Sequence, residues 1–165
     1  IHLLLPIFGF NQSQSFLPLY LFSNFCLDFC SIPISLFNLW SFGSDFHFVH
    51  FLYENNTHSE CSPMFDKILS PLIGRLKFNY LIRAKVNLYT RKSEFIHTGM
   101  HIDYKKPHMV GLYSVNTNNG YTLFKDGTKV ESIENQMVIF DGLREHCSVA
   151  QTDTNIRVNI NINFE

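Results

Sequence analysis

The chain has 165 residues, of which 45% are hydrophobic and 17 are Phe, and this is enough material for one domain with a substantial core. Its formal net charge of −1 gives no general attraction to nucleic acid or to an acidic membrane surface. Nucleic-acid and membrane partners are therefore not expected, and any partner has to be inferred from a local site.

The first 43 residues differ in composition from the rest of the chain. They contain one charged side chain, Asp28, whereas the other 26 charged residues lie in 44–165. The chain begins with Ile1 and its first methionine is Met64, so we expect a fragment or a processed product. We divide the chain into an N-terminal extension of uncertain structure, 1–43, and a folded domain, 44–165.

Three interpretations of this extension are open. Residues 16–40 are long enough for a membrane span, but prolines, serines and an acidic residue interrupt them. A signal peptide needs a basic start, and the first basic residue is Lys67. A buried or poorly specified extension is the interpretation that we favour.

The four cysteines show no paired Cys-x-x-Cys spacing, and Cys26 with Cys30 alone is a weak metal or disulfide signal. We predict free thiols in a reducing compartment and hence a cytoplasmic location.

In chain order, residues 46–53 are aromatic and β-branched enough to form a strand. His47 and His50 fall on its opposite faces and cannot chelate together, so we interpret them as packing or surface residues.

Ser62 and Pro63 predict the start of a helix. Apolar residues at helical spacing give it one buried face that would support a sheet; they are Phe65, Ile68, Leu69, Leu72, Ile73 and Leu76.

Two later segments, 81–89 and 156–164, alternate strictly between apolar and polar residues and predict strands. Their polar faces carry Arg83, Lys85, Asn87 and Tyr89 in the first strand and Arg157, Asn159, Asn161 and Asn163 in the second. Asparagine is disfavoured in strands, so these faces either meet solvent or line a pocket.

Short apolar runs separated by turn signals fill the region between them. Strands are predicted at 110–115, 121–125, 128–133, 137–140 and 145–149, with a turn at 116–120 and a hairpin turn at Asp126-Gly127. The domain is therefore predicted to be mainly β, an antiparallel barrel or sandwich with a helix packed outside.

A metal site is suggested by residues 96–104. On a strand, His101 and Asp103 would share one face, and His146 lies in a short polar strand that could supply a second imidazole. Two histidines and one carboxylate suit Fe(II) in oxygen-activating sites. A zinc-binding helix carrying His97 and His101 is the rival, which Gly99 and the flanking β-branched residues disfavour.

Two further residues that follow His146 in the sequence are Cys147 and Arg157. Cys147 would point away from the face of His146 and into the core. Arg157 could bind a carboxylate in bidentate fashion, or it could be a surface arginine in a salt bridge.

These residues resemble the Fe(II)- and 2-oxoglutarate-dependent dioxygenases of the prolyl-hydroxylase-like group, especially small phage-type and environmental members. The resemblance extends over about 46–164 and lies in the order and spacing of several motifs. They are His101-Ile102-Asp103, Tyr113-Ser114-Val115-Asn116, Asn119-Gly120-Tyr121-Thr122-Leu123-Phe124, Val138-Ile139-Phe140-Asp141-Gly142, His146 and Arg157-Val158-Asn159-Ile160.

The resemblance implies a double-stranded β-helix, that is, a cupin-like jelly roll whose mouth holds the metal. By position, His101, Asp103 and His146 would bind Fe(II), and Arg157 would hold the distal carboxylate of 2-oxoglutarate. The rest of the co-substrate pocket would come from Tyr89, Thr122 and Ser114.

The implied reaction is an O₂-dependent hydroxylation that releases succinate and CO₂, with ascorbate as a supporting reductant. The substrate would be a small molecule or a peptide, including a prolyl or other protein side chain. A non-catalytic jelly-roll module for binding or structure is the alternative. Nucleobase demethylation is disfavoured because position 163 is Asn, where that group typically has a second arginine.

Overall fold

The computed structural model describes residues 3–6, 36–42, 45–55 and 60–165. The strands and helices of these residues follow in chain order. They are β1 (Leu3–Pro6), β2 (Asn38–Phe42), β3 (Asp45–Glu54), β4 (Glu60–Cys61), α1 (Phe65–Ile68), α2 (Ser70–Ile73), β5 (Leu81–Thr90), β6 (Met109–Ser114), β7 (Asn118–Phe124), β8 (Lys129–Ser132), β9 (Gln136–Asp141), β10 (His146–Val149) and β11 (Ile156–Phe164).

Two antiparallel sheets face each other and form a double-stranded β-helix, as predicted. The large sheet has the order β1-β9-β6-β11-β5-β3-β2, with β4 paired to β3, and the small sheet has the order β10-β7-β8. Between the sheets lies a small apolar cluster of Val110, Phe124, Val138 and Phe140. The last strand, β11, is central to the large sheet and pairs with both β5 and β6.

The outer face of the large sheet is apolar. Val86 of β5 and Ile160 of β11 are fully buried there, in a cluster with Ile68, Leu69 and Leu72 from the helical segment. Burial of this apolar surface fixes the helical segment to the sheet, and the predicted supporting role is confirmed.

The predicted single helix is divided into α1 and α2 at Leu69. Pro71 has no backbone N–H and cannot continue the ladder of helical hydrogen bonds. The helix also begins later than predicted, at Phe65, although the hydroxyl of Ser62 accepts a hydrogen bond of 3.1 Å from the backbone N–H of Met64.

The inner face of the large sheet is polar and is not exposed. Arg157, Asn159, Asn161 and Asn163 are all at most 5% exposed. In the antiparallel register they lie opposite the polar residues of β5, as the pairs Arg157–Tyr89, Asn159–Asn87, Asn161–Lys85 and Asn163–Arg83. Solvent exposure is therefore the wrong explanation for this alternation, and the face lines a pocket.

The predicted hairpin between β7 and β8 is confirmed, and Gly127 has a φ of 85°, which favours glycine. The turn predicted at 116–120 is shorter in the structure, because Asn118 already belongs to β7.

The described parts of 1–43 join the large sheet, since β1 pairs with β9 and β2 pairs with β3. The boundary at 43/44 stays a prediction. Most of the span considered at 16–40, together with Cys26 and Cys30, lies outside the described residues. Within the described ranges, none of the helices has the length and apolar character that crossing a membrane requires. Cys147 is a free, buried thiol, as predicted.

Candidate metal centre

The segment that was predicted to carry two metal ligands on a strand is irregular in the structure. Between β5 and β6 the chain makes only isolated bridges, His97 to Val149 and His101 to His146. It nevertheless runs beside β10, because His101 and His146 exchange backbone hydrogen bonds of 2.9 and 3.0 Å. The two histidines are therefore placed side by side by main-chain pairing.

Three potential ligands converge at this point. One side-chain atom from each of His101, Asp103 and His146 lies within 4.8 Å of the other two. Nε2 of His146 is 3.8 Å from Oδ2 of Asp103, and the centroids of the two imidazole rings are 4.8 Å apart. Two nitrogen donors and one carboxylate thus share one small volume.

The backbone determines which imidazole nitrogens carry hydrogen. Nδ1 of His101 lies 2.9 Å from the carbonyl oxygen of Gly99, and Nδ1 of His146 lies 3.0 Å from that of Arg144. A carbonyl oxygen only accepts hydrogen bonds, so each Nδ1 is the donor and the lone pair of a neutral ring is on Nε2. Burial lowers the pKa of His146, against the opposing effects of the Arg144 carbonyl and Asp103. This favours the neutral, metal-binding form of His146.

The carboxylate of Asp103 is held by cations and an amide. Its Oδ1 is 3.2 Å from Nη2 of Arg83 and 3.7 Å from Nζ of Lys85, and its Oδ2 accepts a hydrogen bond of 2.9 Å from Asn161. Burial alone would raise its pKa, but Lys85, the Asn161 hydrogen bond, Arg83 and His146 outweigh this and lower the pKa from 3.8 to about 2. Asp103 is therefore ionised at neutral pH.

These groups lie on the wall of a cavity of about 270 Å³ between the two sheets, which is near the small end of the range for small-molecule sites. Tyr89 and Thr122 also line it. The ring of His47 stacks on that of Tyr89, with centroids 4.7 Å apart, so its interpretation as a packing residue is confirmed. His47 also lines the cavity, which was not predicted.

Arg157 lies behind this cavity and is only 2% exposed. Its Nη1 donates hydrogen bonds to Oγ of Ser148 and to the Val149 carbonyl, at 2.7 and 3.0 Å. Its Cζ is 5.4 Å from the ring centre of Tyr89. A small second cavity of about 10 Å³ is lined by Arg157 and Ser114, and Thr122 lines both cavities.

The charge of Arg157 has no carboxylate partner within the described part of the chain, and its Nε lacks a hydrogen-bond partner there. The alternative of a surface salt bridge is therefore wrong. Burial lowers its pKa, and Tyr89 partly offsets that effect. A buried cation without a counterion is a strong site for an anion.

No protein-family model matches this chain, and no curated protein is significantly similar to it in sequence. Solved structures do match it in fold. A 2OG-Fe(II) oxygenase family oxidoreductase from Burkholderia pseudomallei has a TM-score of 0.66 at 12% identity, over 86% of this chain and 77% of that one. The fold is that of the 2-oxoglutarate- and Fe(II)-dependent oxygenases.

Two further structures with this oxygenase fold extend the comparison. The α-ketoglutarate-dependent carbocyclase SnoK of nogalamycin biosynthesis has a TM-score of 0.64 at 11% identity, and covers 99% of this chain and 78% of its own. A Trichoplax adhaerens prolyl hydroxylase, solved with a peptide fragment, has a TM-score of 0.57 at 13% identity. The match covers 99% of this chain and 83% of that one. At these identities the likeness concerns the fold.

On this oxygenase fold, the predicted site residues divide into two groups. His101, Asp103 and His146 come together with Tyr89 and Thr122 around the main cavity, whereas Arg157 and Ser114 lie at the smaller cavity behind it. The zinc-helix alternative is wrong, because 96–103 is not helical and the side chain of His97 is outside the cluster.

Sequence reasoning gave His47 no place at this site, and it gave Arg83, Lys85 and Asn161 no specific role there. Alternation correctly placed Arg83, Lys85 and Asn161 on polar strand faces. It could not show that the two faces lie side by side and enclose Asp103.

Proposed function

We propose that this protein is an Fe(II)- and 2-oxoglutarate-dependent dioxygenase that hydroxylates its substrate. The observation that carries the proposal is the convergence of His101, Asp103 and His146 on one cavity wall. The donor set fits the metal, because two imidazoles that present Nε2 and one ionised carboxylate suit Fe(II) with further positions open. A buried carboxylate with a pKa of about 2 also favours a bound cation.

When bound, the iron supplies the redox chemistry that couples conversion of 2-oxoglutarate and O₂ into succinate and CO₂ with hydroxylation of the substrate. The protein positions the reactants and excludes water. Main-chain pairing of His101 with His146 fixes both imidazoles, and Asn161 fixes the orientation of the Asp103 carboxylate. Ligand positions are therefore set before the metal arrives.

Arg157 is proposed to bind the distal carboxylate of 2-oxoglutarate. Its guanidinium is buried without a counterion, and a bidentate carboxylate would satisfy it. The pKa of Tyr89 is raised by burial, although Arg157 opposes the shift, so its hydroxyl stays protonated and can donate to the same carboxylate. Thr122 and Ser114 would complete this end of the pocket.

The substrate is proposed to be a small molecule or a peptide. Among the solved neighbours, the carbocyclase is from nogalamycin biosynthesis and the Trichoplax adhaerens enzyme is in complex with a peptide fragment. A prolyl or other protein side chain is therefore one proposed target, and a small metabolite is another.

The test combines binding with turnover. Anaerobic calorimetry would measure binding of Mn(II) and then 2-oxoglutarate. Assays with Fe(II), ascorbate, 2-oxoglutarate and O₂ would measure succinate, with His101→Ala and Asp103→Ala as inactive controls. We expect O₂-dependent succinate release from the wild type only. A folded wild type that binds neither metal nor 2-oxoglutarate would contradict the proposal and favour a non-catalytic jelly-roll module.

A further inference from the structure

The main cavity contains two cations that the proposed reaction does not use. Arg83 and Lys85 are neighbours on the polar face of β5, and both line the cavity. Their side chains are 20% and 18% exposed, so they are largely withdrawn from solvent and still accessible from the cavity. Their shared anionic partner is the single carboxylate of Asp103.

Charge balance shows what is missing once the site is loaded, and this step rests on the proposed function. A divalent metal would be balanced by Asp103 and by the carboxylate at the 2-oxo end of the co-substrate. The distal carboxylate of the co-substrate balances Arg157. Although Oδ1 of Asp103 stays beside Arg83 and Lys85, the loaded site would then have two positive charges more than negative ones. Excess positive charge in a largely buried site is costly unless an anion balances it.

No other acidic side chain in the described structure replaces Asp103. Burial lowers the pKa of Lys85, and Asp103 and, more weakly, Glu54 oppose this. Glu54 lies across the strand pair from Arg83 but forms no ion pair with either cation within the described residues. The remaining neighbours of Arg83 are oxygens without charge, the amide of Asn163 at 3.1 Å and the carbonyl of Asp103 at 3.3 Å. A ligand anion would therefore give both cations a direct partner.

We propose that Arg83 and Lys85 form a carboxylate-binding subsite for the primary substrate. Both contact the proposed metal ligand itself, at 3.2 and 3.7 Å. They therefore lie at the metal end of the cavity, whereas Arg157 lies behind Ser148. A guanidinium fork beside an ammonium suits a carboxylate. The substrate is accordingly an acid, whether a free small acid or an acidic side chain of a peptide.

The experiment uses matched pairs of probes that differ only in charge. N-acetylglycine is compared with N-acetylglycinamide, and the blocked peptide acetyl-Ala-Asp-Ala-amide with acetyl-Ala-Asn-Ala-amide. Each is titrated into protein loaded with Mn(II) and 2-oxoglutarate, in a buffer without oxyanions. The variants are Lys85→Met and Arg83→Gln, with the exposed Lys77→Met as the matched control. Circular dichroism establishes that each variant is folded.

We expect a carboxylate probe to bind the wild type at least about tenfold more tightly than its amide. In each variant, this ratio of affinities should fall by about tenfold or more. The small acid and the acidic peptide distinguish the two sources. Equal binding of acids and amides, or no binding of either acid by loaded wild type, would overturn the subsite. So would a Lys85→Met variant that weakens only 2-oxoglutarate, because the cations would then anchor the co-substrate. Failure of the wild type to take up Mn(II) or 2-oxoglutarate is a separate readout and would refute the proposed function first.

Discussion

His101 and His146 exchange both of their backbone hydrogen bonds, at 2.9 and 3.0 Å, so the spacing of the two imidazoles is set by main-chain pairing. The backbone at both positions is therefore held independently of the imidazoles. This makes the metal centre a clean target for substitution.

Replacing either imidazole or the carboxylate should remove metal binding. We expect His146→Ala and Asp103→Ala to weaken Mn(II) binding by about 100-fold or more, because each variant leaves only two protein ligands for the metal. His97→Ala is the matched control, since its side chain is exposed and lies outside the cluster. Anaerobic calorimetry measures the affinities, and a comparable loss in His97→Ala would refute the assigned ligand set.

Arg157 should determine co-substrate affinity without affecting the metal. We expect Arg157→Met to weaken 2-oxoglutarate binding by about 10–100-fold, since a charged, bidentate hydrogen-bonded pair is lost. Mn(II) affinity should stay unchanged. Arg91→Met changes an exposed arginine and serves as the control. Unchanged 2-oxoglutarate affinity in a folded Arg157→Met variant would exclude the anchor role.

The stability of the metal-free protein should depend on ionised Asp103. Its folded pKa of about 2 lies below 3.8, so its ionisation stabilises the fold fully above the unfolded pKa and progressively less as pH falls towards 2. The full contribution is about 2 kcal/mol, and it should be about 1 kcal/mol smaller at pH 3 than at pH 6.

Urea unfolding of the wild type and of Asp103→Asn at about pH 3 and about pH 6 would measure the contribution of ionised Asp103 to stability. Glu134→Gln changes an exposed residue and serves as the control. A gap between wild type and Asp103→Asn that does not narrow at low pH would argue against the stabilising ion pairs.

Gly142 should tolerate no side chain, because the ring of buried His108 occupies the space. A Cβ atom there would lie 2.1 Å from Nε2 of His108. We expect Gly142→Ala to cost about 1–3 kcal/mol of unfolding free energy. At Gly74 the nearest atom would be 3.4 Å away, so Gly74→Ala should change stability by less than about 1 kcal/mol. Thermal unfolding of both variants measures the two changes in stability. Equal losses in Gly142→Ala and Gly74→Ala would contradict the packing argument.

Strand periodicity could be predicted from the sequence because alternation is a local property. The alternation in β5 and β11 predicted both strands and both polar faces. Whether a polar face meets water or a cavity depends on the elements opposite it, and Asn159 and Asn161 give no local sign of that. The position of His47 on the cavity wall could not be predicted for the same reason, since its partner Tyr89 is 42 residues away in sequence.

The geometry of the pair His101 and Asp103 could not be predicted from the sequence for a different reason. His101 and Asp103 were predicted to share a strand face, yet their segment has no regular strand. Their convergence comes from bridging to β10 and from the contacts of Asp103 with Arg83 and Asn161. The spacing pointed to residues that lie together in the structure, and tertiary contacts supplied the geometry.

The central position of β11 has a consequence for synthesis of the chain. This strand follows all the others in sequence, yet it lies between β5 and β6 and contributes Arg157 and Asn161 to the site. A nascent chain that has not yet released β11 from the ribosome cannot join the two halves of its large sheet. Strands β5 and β6 then remain as unpaired edges, which are prone to aggregation. The two halves of the large sheet, and with them the candidate site, should therefore be completed only after β11 has left the ribosome.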